Sequence, residues 1–207
     1  MVRRNPERRA ALLDAAIEVL AREGARGLTF RAVDQQAGVP VGTASNYFAN
    51  RDEMLTQAGD RVYERLEPDE ALIASGQEGP RDRARVTELM HDLVERVAAF
   101  PTGFLALLEL RLEAARRPQL REVLTRRIRT DVDLNVNYHL ASGLPGDATT
   151  VVLLYLALNW LIVERLTLPE LFSEEQRRDL VTALVERLLA GQPDAGQPDS
   201  GEASPAG

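Results

Sequence analysis

The chain has no cysteine, no lysine, one tryptophan and two histidines among its 207 residues. Without cysteine it can form no disulfide, thiolate metal site or thiol nucleophile. That suits a reducing compartment. The opening Met-Val-Arg-Arg-Asn-Pro leads into a mixed-charge helix rather than an apolar leader, so the expected location is the cytoplasm. A di-iron bundle would need paired Glu-x-x-His motifs. Glu88 stands three residues before His91, but Val136 stands three before His139, and one pair is insufficient. No glycine-rich phosphate loop occurs either. An enzyme built on a helical bundle is therefore the weaker reading, with no cofactor and no metal expected. Long apolar runs are also missing. The most apolar stretch, 151–163 with Asn159 inside it, is shorter than the roughly 20 residues of a membrane-spanning helix. A buried helix and no membrane association are expected. No strand-like alternation and no internal repeat is present.

All 25 basic residues are arginine, so an arginine at any one position says little about bidentate recognition. The net charge is -7, but it is unevenly spread. Residues 1–66 hold ten Arg against nine Asp/Glu, and residues 67–207 hold fifteen against twenty-three. The first third is the less acidic part, and Arg3, Arg4, Arg8 and Arg9 cluster at its start.

What is present is helical periodicity. Leu13, Ala16, Ile17 and Leu20 form one face of a helix over 6–23, which Gly24 ends. Thr29 is placed to cap a second helix that stops at Gly38. A third is expected over 41–48. Asn50, followed by Asp52 and Glu53, opens a fourth that runs to about residue 66. Pro68 and the Ser-Gly-Gln-Glu-Gly-Pro stretch at 75–80 separate this unit, 1–66, from a larger helical one at 81–190. Helices are expected there over 83–100, 101–117, 118–141, 147–167 and 173–189. Beyond 190 the composition is that of a disordered tail, 191–207. The fold class is all-α: an N-terminal three-helix helix-turn-helix domain with the fourth helix as connector, then a C-terminal helical domain.

The organising stretch is 28–55, two short helices joined by a turn holding Gly38 and Pro40. A helix that reads the major groove enters by its N-terminal part and needs short polar side chains there. Gly42 lets the backbone come close. Thr43, Ser45, Asn46 and Tyr47 are expected on the exposed side, with Ala44 and Phe48 packed inward. Asn suits adenine, and the Tyr hydroxyl suits a phosphate. Thr29 at a helix N-terminus, and Arg51 by its charge, are candidate phosphate anchors.

The segment resembles the TetR (tetracycline repressor) family over about residues 8–60. The likeness rests on Gly27-Leu28-Thr29, Val33, Ala37-Gly38-Val39, Gly42-Thr43, Tyr47-Phe48 and Arg51-Asp52-Glu53-Met54-Leu55. It implies DNA contacts at Thr29, Arg31, Gly42, Thr43, Ser45, Asn46, Tyr47 and Arg51. Three positions depart from the family pattern. Ser45 stands where a Tyr is usual, Pro40 where a Ser is usual, and Asp34 where a small apolar residue is usual. A buried Asp34 would need a partner, so an edge position is expected for it.

The resemblance also implies that 81–190 binds a small-molecule effector and dimerises. A helix apolar almost all round, as at 147–167, is buried on several sides. Together with the stripe of the last helix it suggests a four-helix homodimer interface through Leu154, Leu158, Leu180, Val181, Leu184 and Leu188. Arg177 is expected outside that stripe, and the arginines at 116, 117, 126, 127 and 129 on a solvated face. Polar groups within apolar helices, His91, Glu109, Arg111, Asn135, Tyr138, His139, Tyr155, Asn159 and Trp160, are candidates for an effector pocket, and of these His91, Glu109, Tyr138, Tyr155, Asn159 and Trp160 are the six expected effector contacts. The function expected is a ligand-responsive transcription regulator, a repressor released from a palindromic double-stranded DNA operator by an effector. The fourth helix would carry the signal. A DNA-binding protein without an effector is the other alternative, and the long helical half argues against it.

Overall fold

The computed structural model describes residues 5–68, 73, 74, 76 and 78–190. Among these every regular element is a helix: α1 Pro6–Gly27, α2 Phe30–Gln36, α3 Thr43–Tyr47, α4 Arg51–Leu66, α5 Arg83–Ala98, α6 Pro101–Ala114, α7 Pro118–Ser142, α8 Ala148–Thr167 and α9 Glu174–Leu188. The expectations for Arg3, Arg4 and the 191–207 tail lie outside the described residues.

The helix ends follow from their caps. Asn5 accepts from the Glu7 and Arg8 amides, with Pro6 at the first helical position. Gly24 breaks α1 at φ 68, a left-handed angle that favours glycine, and a last helical stretch resumes up to Gly27. Asn50 accepts from the Glu53 amide at 2.8 Å and starts α4. Asp147 with Thr150, and Ser173 with Gln176, form reciprocal capping boxes at α8 and α9.

The first 66 residues do not close a core alone. Leu12, Ile17, Leu20, Val33, Phe48 and Leu55 share one apolar cluster with Leu110 of α6 and Leu124 of α7. Arg65 stacks on Phe100 at 3.7 Å from the ring centre, fixing the end of α4 to the α5–α6 turn. Two further clusters join α5, α8 and α9.

These clusters correct part of the expected dimer interface. Leu154, Leu158 and Val181 are buried in the chain's own core, with Leu184 and Leu188 half-buried against it. Of the six, Leu180 is exposed. A helix apolar on all sides gives no periodic signal for its inward stripe, and the inward stripe of α8 is the one first assigned to the partner. The outward stripe is Leu153, Leu156 and Trp160. The apolar run at 151–163 also extends to a 20-residue helix, so α8 is long and apolar enough, by length and composition, to cross a membrane. Its inner side packs against α5, α6, α7 and α9.

Arg177 is likewise inside rather than outside. Its guanidinium donates to the Pro169 carbonyl at 3.1 Å and to that of Phe172, and pairs with Glu174 at 2.8 Å. It therefore holds the α8–α9 connector.

Candidate nucleic-acid interface

The two-helix turn is built on two left-handed glycines, Gly38 at φ 64 and Gly42 at φ 93. No atom lies within 4 Å of where a side chain on Gly42 would begin, so its backbone is open to a close partner. Asp34 is fully buried, not at an edge. Its carboxylate accepts the Gly42 and Ala44 amides at 2.7 Å each. The first amides of a helix lack intrahelical partners, and Gly42 has no side chain to cap α3. Asp34 supplies that cap from α2, so its departure from the family pattern fixes the reading helix rather than weakening it.

Ala44 and Phe48 are buried as expected, and Ser45 and Asn46 are exposed. Ser45 Oγ and Asn46 Nδ2 both donate to the Gly42 carbonyl, at 2.8 and 3.0 Å. The Thr43 hydroxyl donates to the Pro40 carbonyl. Base contacts would require these hydroxyl and amide groups to share or exchange those bonds. Thr29 is exposed, and its Oγ1 accepts the Ala32 amide at 3.1 Å. Arg31 is exposed beside it.

Two expected contacts lie elsewhere. Tyr47 is buried in the apolar cluster of the N-terminal head. The Arg51 guanidinium is drawn inward, donating to the Leu28 carbonyl at 2.9 Å and to the Ala25 carbonyl. It locks the α1–α2 junction. Sequence reasoning missed a further positioning residue, Arg9. It donates to the Tyr47 carbonyl at 3.1 Å and to Gln57, and lies 5.2 Å from the Phe48 ring centre. Arg9 thus ties the end of α3 to α4. Its signal was the spacing 9, 13, 17, which puts it on the inward face of α1.

Helix α6 is joined to this head by polar bridges. Glu109 accepts the Ala25 amide at 3.1 Å, a group freed by the break at Gly24. Glu109, Gly24 and Arg26 line a cleft of about 360 Å³ there. Thr102 donates to Glu18 at 2.7 Å. Buried Glu113 pairs with Arg116 at 2.7 Å and with Arg117 at 2.8 Å, and these hold its carboxyl below the usual range. Arg117 also pairs with Asp52 in the first turn of α4. Between α4 and α7, Arg127 lies 5.0 Å from the Tyr63 ring centre and pairs with Glu67 at 3.0 Å. Burial pushes the Tyr63 hydroxyl up to about 12. Arg117 and Arg127 are therefore connectors, not members of a solvated face.

The six expected effector contacts are not brought together. Glu109 faces α1. His91 meets the Thr182 hydroxyl of α9 at 3.1 Å. Tyr138 donates to the Ile73 carbonyl at 3.2 Å. Asn159 donates to the Tyr155 carbonyl of its own helix at 2.7 Å, and Trp160 is 64% exposed on the outer side of α8. Tyr155 approaches the wall of a second cavity, accepting from Arg111 at 3.0 Å. The wall belongs to an open groove of about 660 Å³ between α6 and α7, floored by Leu124, Ile128 and Val132. Sequence reasoning missed it because a groove needs two helices, and each face alone reads as ordinary amphipathic surface.

Comparison with known proteins agrees with this architecture. Residues 12–58 match the family model for bacterial regulatory proteins of the tetR family, and 81–191 match a tetracyclin repressor-like C-terminal domain. The chain is 26% identical over 135 residues to the HTH-type transcriptional regulator BetI of Agrobacterium fabrum, covering 64% of this chain and 65% of that one. It is 36% identical over 72 residues to the HTH-type transcriptional repressor KstR of Mycolicibacterium smegmatis, covering 34% and 35%. The matched stretches thus span less than two thirds of those relatives. The multidrug binding protein EbrR, solved with ethidium, is 30% identical with a TM-score of 0.61, covering 87% of this chain and 99% of that one. With both halves matched in order, and the capped reading helix in its expected place, the chain belongs to the tetR family of bacterial regulatory proteins.

Proposed function

We propose that the protein is a cytoplasmic, non-catalytic repressor that binds a palindromic DNA operator as a homodimer and is released by a small-molecule effector. The observation that carries the DNA part is α3: Asp34 fixes its start, Arg9 its end, and Thr43, Ser45 and Asn46 stand between on the outer side. Short polar side chains on a rigidly held helix suit base-edge readout. Thr29, exposed at the start of α2, suits a phosphate, and the exposed Arg31 is at the position that can reach a base. The effector part is supported by the α6–α7 groove and by EbrR, which holds ethidium in its solved structure.

The bridges from α6 give a physical route for release. A ligand between α6 and α7 that favoured a different placement of α6 would act on α1 through Glu109 and on α4 through Arg117–Asp52. DNA and effector would then each weaken the other's binding by the same factor. The test is selection of sites from a random duplex pool with the purified protein, followed by a release screen with small molecules. An enriched site with two half-sites about 34–36 Å apart is expected. Failure to enrich any sequence would sink the reading.

A further inference from the structure

Helix α7 presents two parallel rows to the groove. One is apolar: Leu124, Ile128 and Val132 at intervals of four. The other holds Arg121, Thr125 and Arg129 at the same interval. Arg111 of α6 faces them from the opposite wall. The neighbouring arginines of α7 have carboxylate partners: Arg126 pairs with Glu122 at 3.8 Å and Arg127 with Glu67 at 3.0 Å. Among the described residues Arg111, Arg121 and Arg129 form no ion pair, although residues 67–207 carry eight more acids than arginines. Arg111 binds only the neutral Tyr155 hydroxyl. Asp133 at one end of the groove offsets one of the three charges and leaves the other end positive.

We infer that the α6–α7 groove takes an elongated amphipathic organic anion, its apolar body along Leu124, Ile128 and Val132 and its anionic head among Arg111, Arg121 and Arg129. The inference rests on the reading of the chain as effector-responsive and names the chemical class of that effector. Leu124 and Val132, the ends of the apolar row, are eight residues apart, about 12 Å along the helix axis. That length favours an extended molecule over a compact one. The groove volume, about 660 Å³, is in the range of small-molecule sites. Guanidinium groups bind planar oxyanions through paired, charge-assisted hydrogen bonds. They repel a cation of the same length.

The test uses the full chain and three probes of equal chain length below their aggregation limits: dodecanoate, dodecanol and dodecyltrimethylammonium. Titration calorimetry without DNA should show dodecanoate binding once per chain. Binding of the alcohol should be weaker by about tenfold or more, and the cation should not bind. The double variant R121Q/R129Q should keep the melting temperature of the ligand-free protein. Its affinity for dodecanoate should fall to that of the alcohol. Equal binding of the alcohol or the cation, no binding of dodecanoate, or unchanged affinity in the double variant would each overturn the assignment. A second arm measures release from the selected operator. Binding that depends on Arg121 and Arg129 but leaves DNA affinity unchanged supports the groove and refutes effector release.

Discussion

Asp34 accepts two amides from outside its own helix, and both belong to the start of α3. Replacing it with Ala removes both acceptors and leaves the buried Ala44 amide without one. Asp34→Ala should cost about 2 kcal/mol of stability, seen as a lower urea midpoint. It should cost more in operator affinity than in folding, because the reading helix loses its register. Asp34→Asn keeps an acceptor and should fall between. If the Ala variant bound DNA as tightly as the parent, Asp34 would have no part in positioning α3. The two histidines govern pH sensitivity. Burial lowers the pKa of His139, whose Nε2 meets the Pro145 carbonyl at 3.1 Å, and also that of His91, with Arg178 adding to the effect. A histidine with a depressed folded-state pKa binds its proton more readily when unfolded. The stability contributed by the two histidines is therefore fully present above about pH 6.5 and is lost as pH falls below it. Melting temperature should drop on going from pH 7 toward 5.5, and the H91Q/H139Q variant should show a flatter profile.

Several helix starts were legible in the sequence because capping there is local. Asn5, Thr29, Asn50, Asp147 and Ser173 each accept an amide two or three residues ahead, and nothing distant competes. What was not legible lies between helices. No pattern within 1–66 says that its core is completed by Leu110 and Leu124, which arrive from α6 and α7. No pattern within α8 says which of two apolar stripes faces inward. In the reading segment Ser45 and Asn46 are exposed as expected, but the hydroxyl of Tyr47 and the charge of Arg51, which suit a phosphate, are turned inward. The carbonyl contacts of Arg51 follow from how α1 sits on α4, and the burial of Tyr47 from a cluster that spans several helices. The shared core makes a prediction about these elements. Leu110→Ala, at a fully buried position in contact range of α4, should destabilise by about 3 kcal/mol. The loss should appear in one cooperative transition when probed at both ends of the chain. Separate transitions for the reading head and the helical half would mean that α6 does not couple them.

At the scale of the molecule, the outer stripe of α8 poses the main question. Leu153, Leu156 and Trp160 are 43, 57 and 64% exposed, and Leu180 of α9 is 43% exposed. In the proposed homodimer this apolar surface of α8 and α9 is the partner face. A second copy is the natural occupant, since a two-fold pair of α8 and α9 buries the same stripe on both sides. Trp160 is the chain's single tryptophan, so its fluorescence reports on that face alone. At micromolar concentration its emission should be blue-shifted and shielded from a soluble quencher, and dilution should shift it to the red. Leu156→Arg would place a charge in the middle of the proposed interface. The variant should sediment as a monomer with Trp160 exposed at every concentration, and with its melting transition still cooperative. Its affinity for a palindromic operator should fall by about a hundredfold or more, because each half-site would then be bound without the tethered second reader. A variant that stayed dimeric would move the interface off α8. A monomer that kept full operator affinity would show that a single α3 suffices, and the palindrome would lose its physical basis.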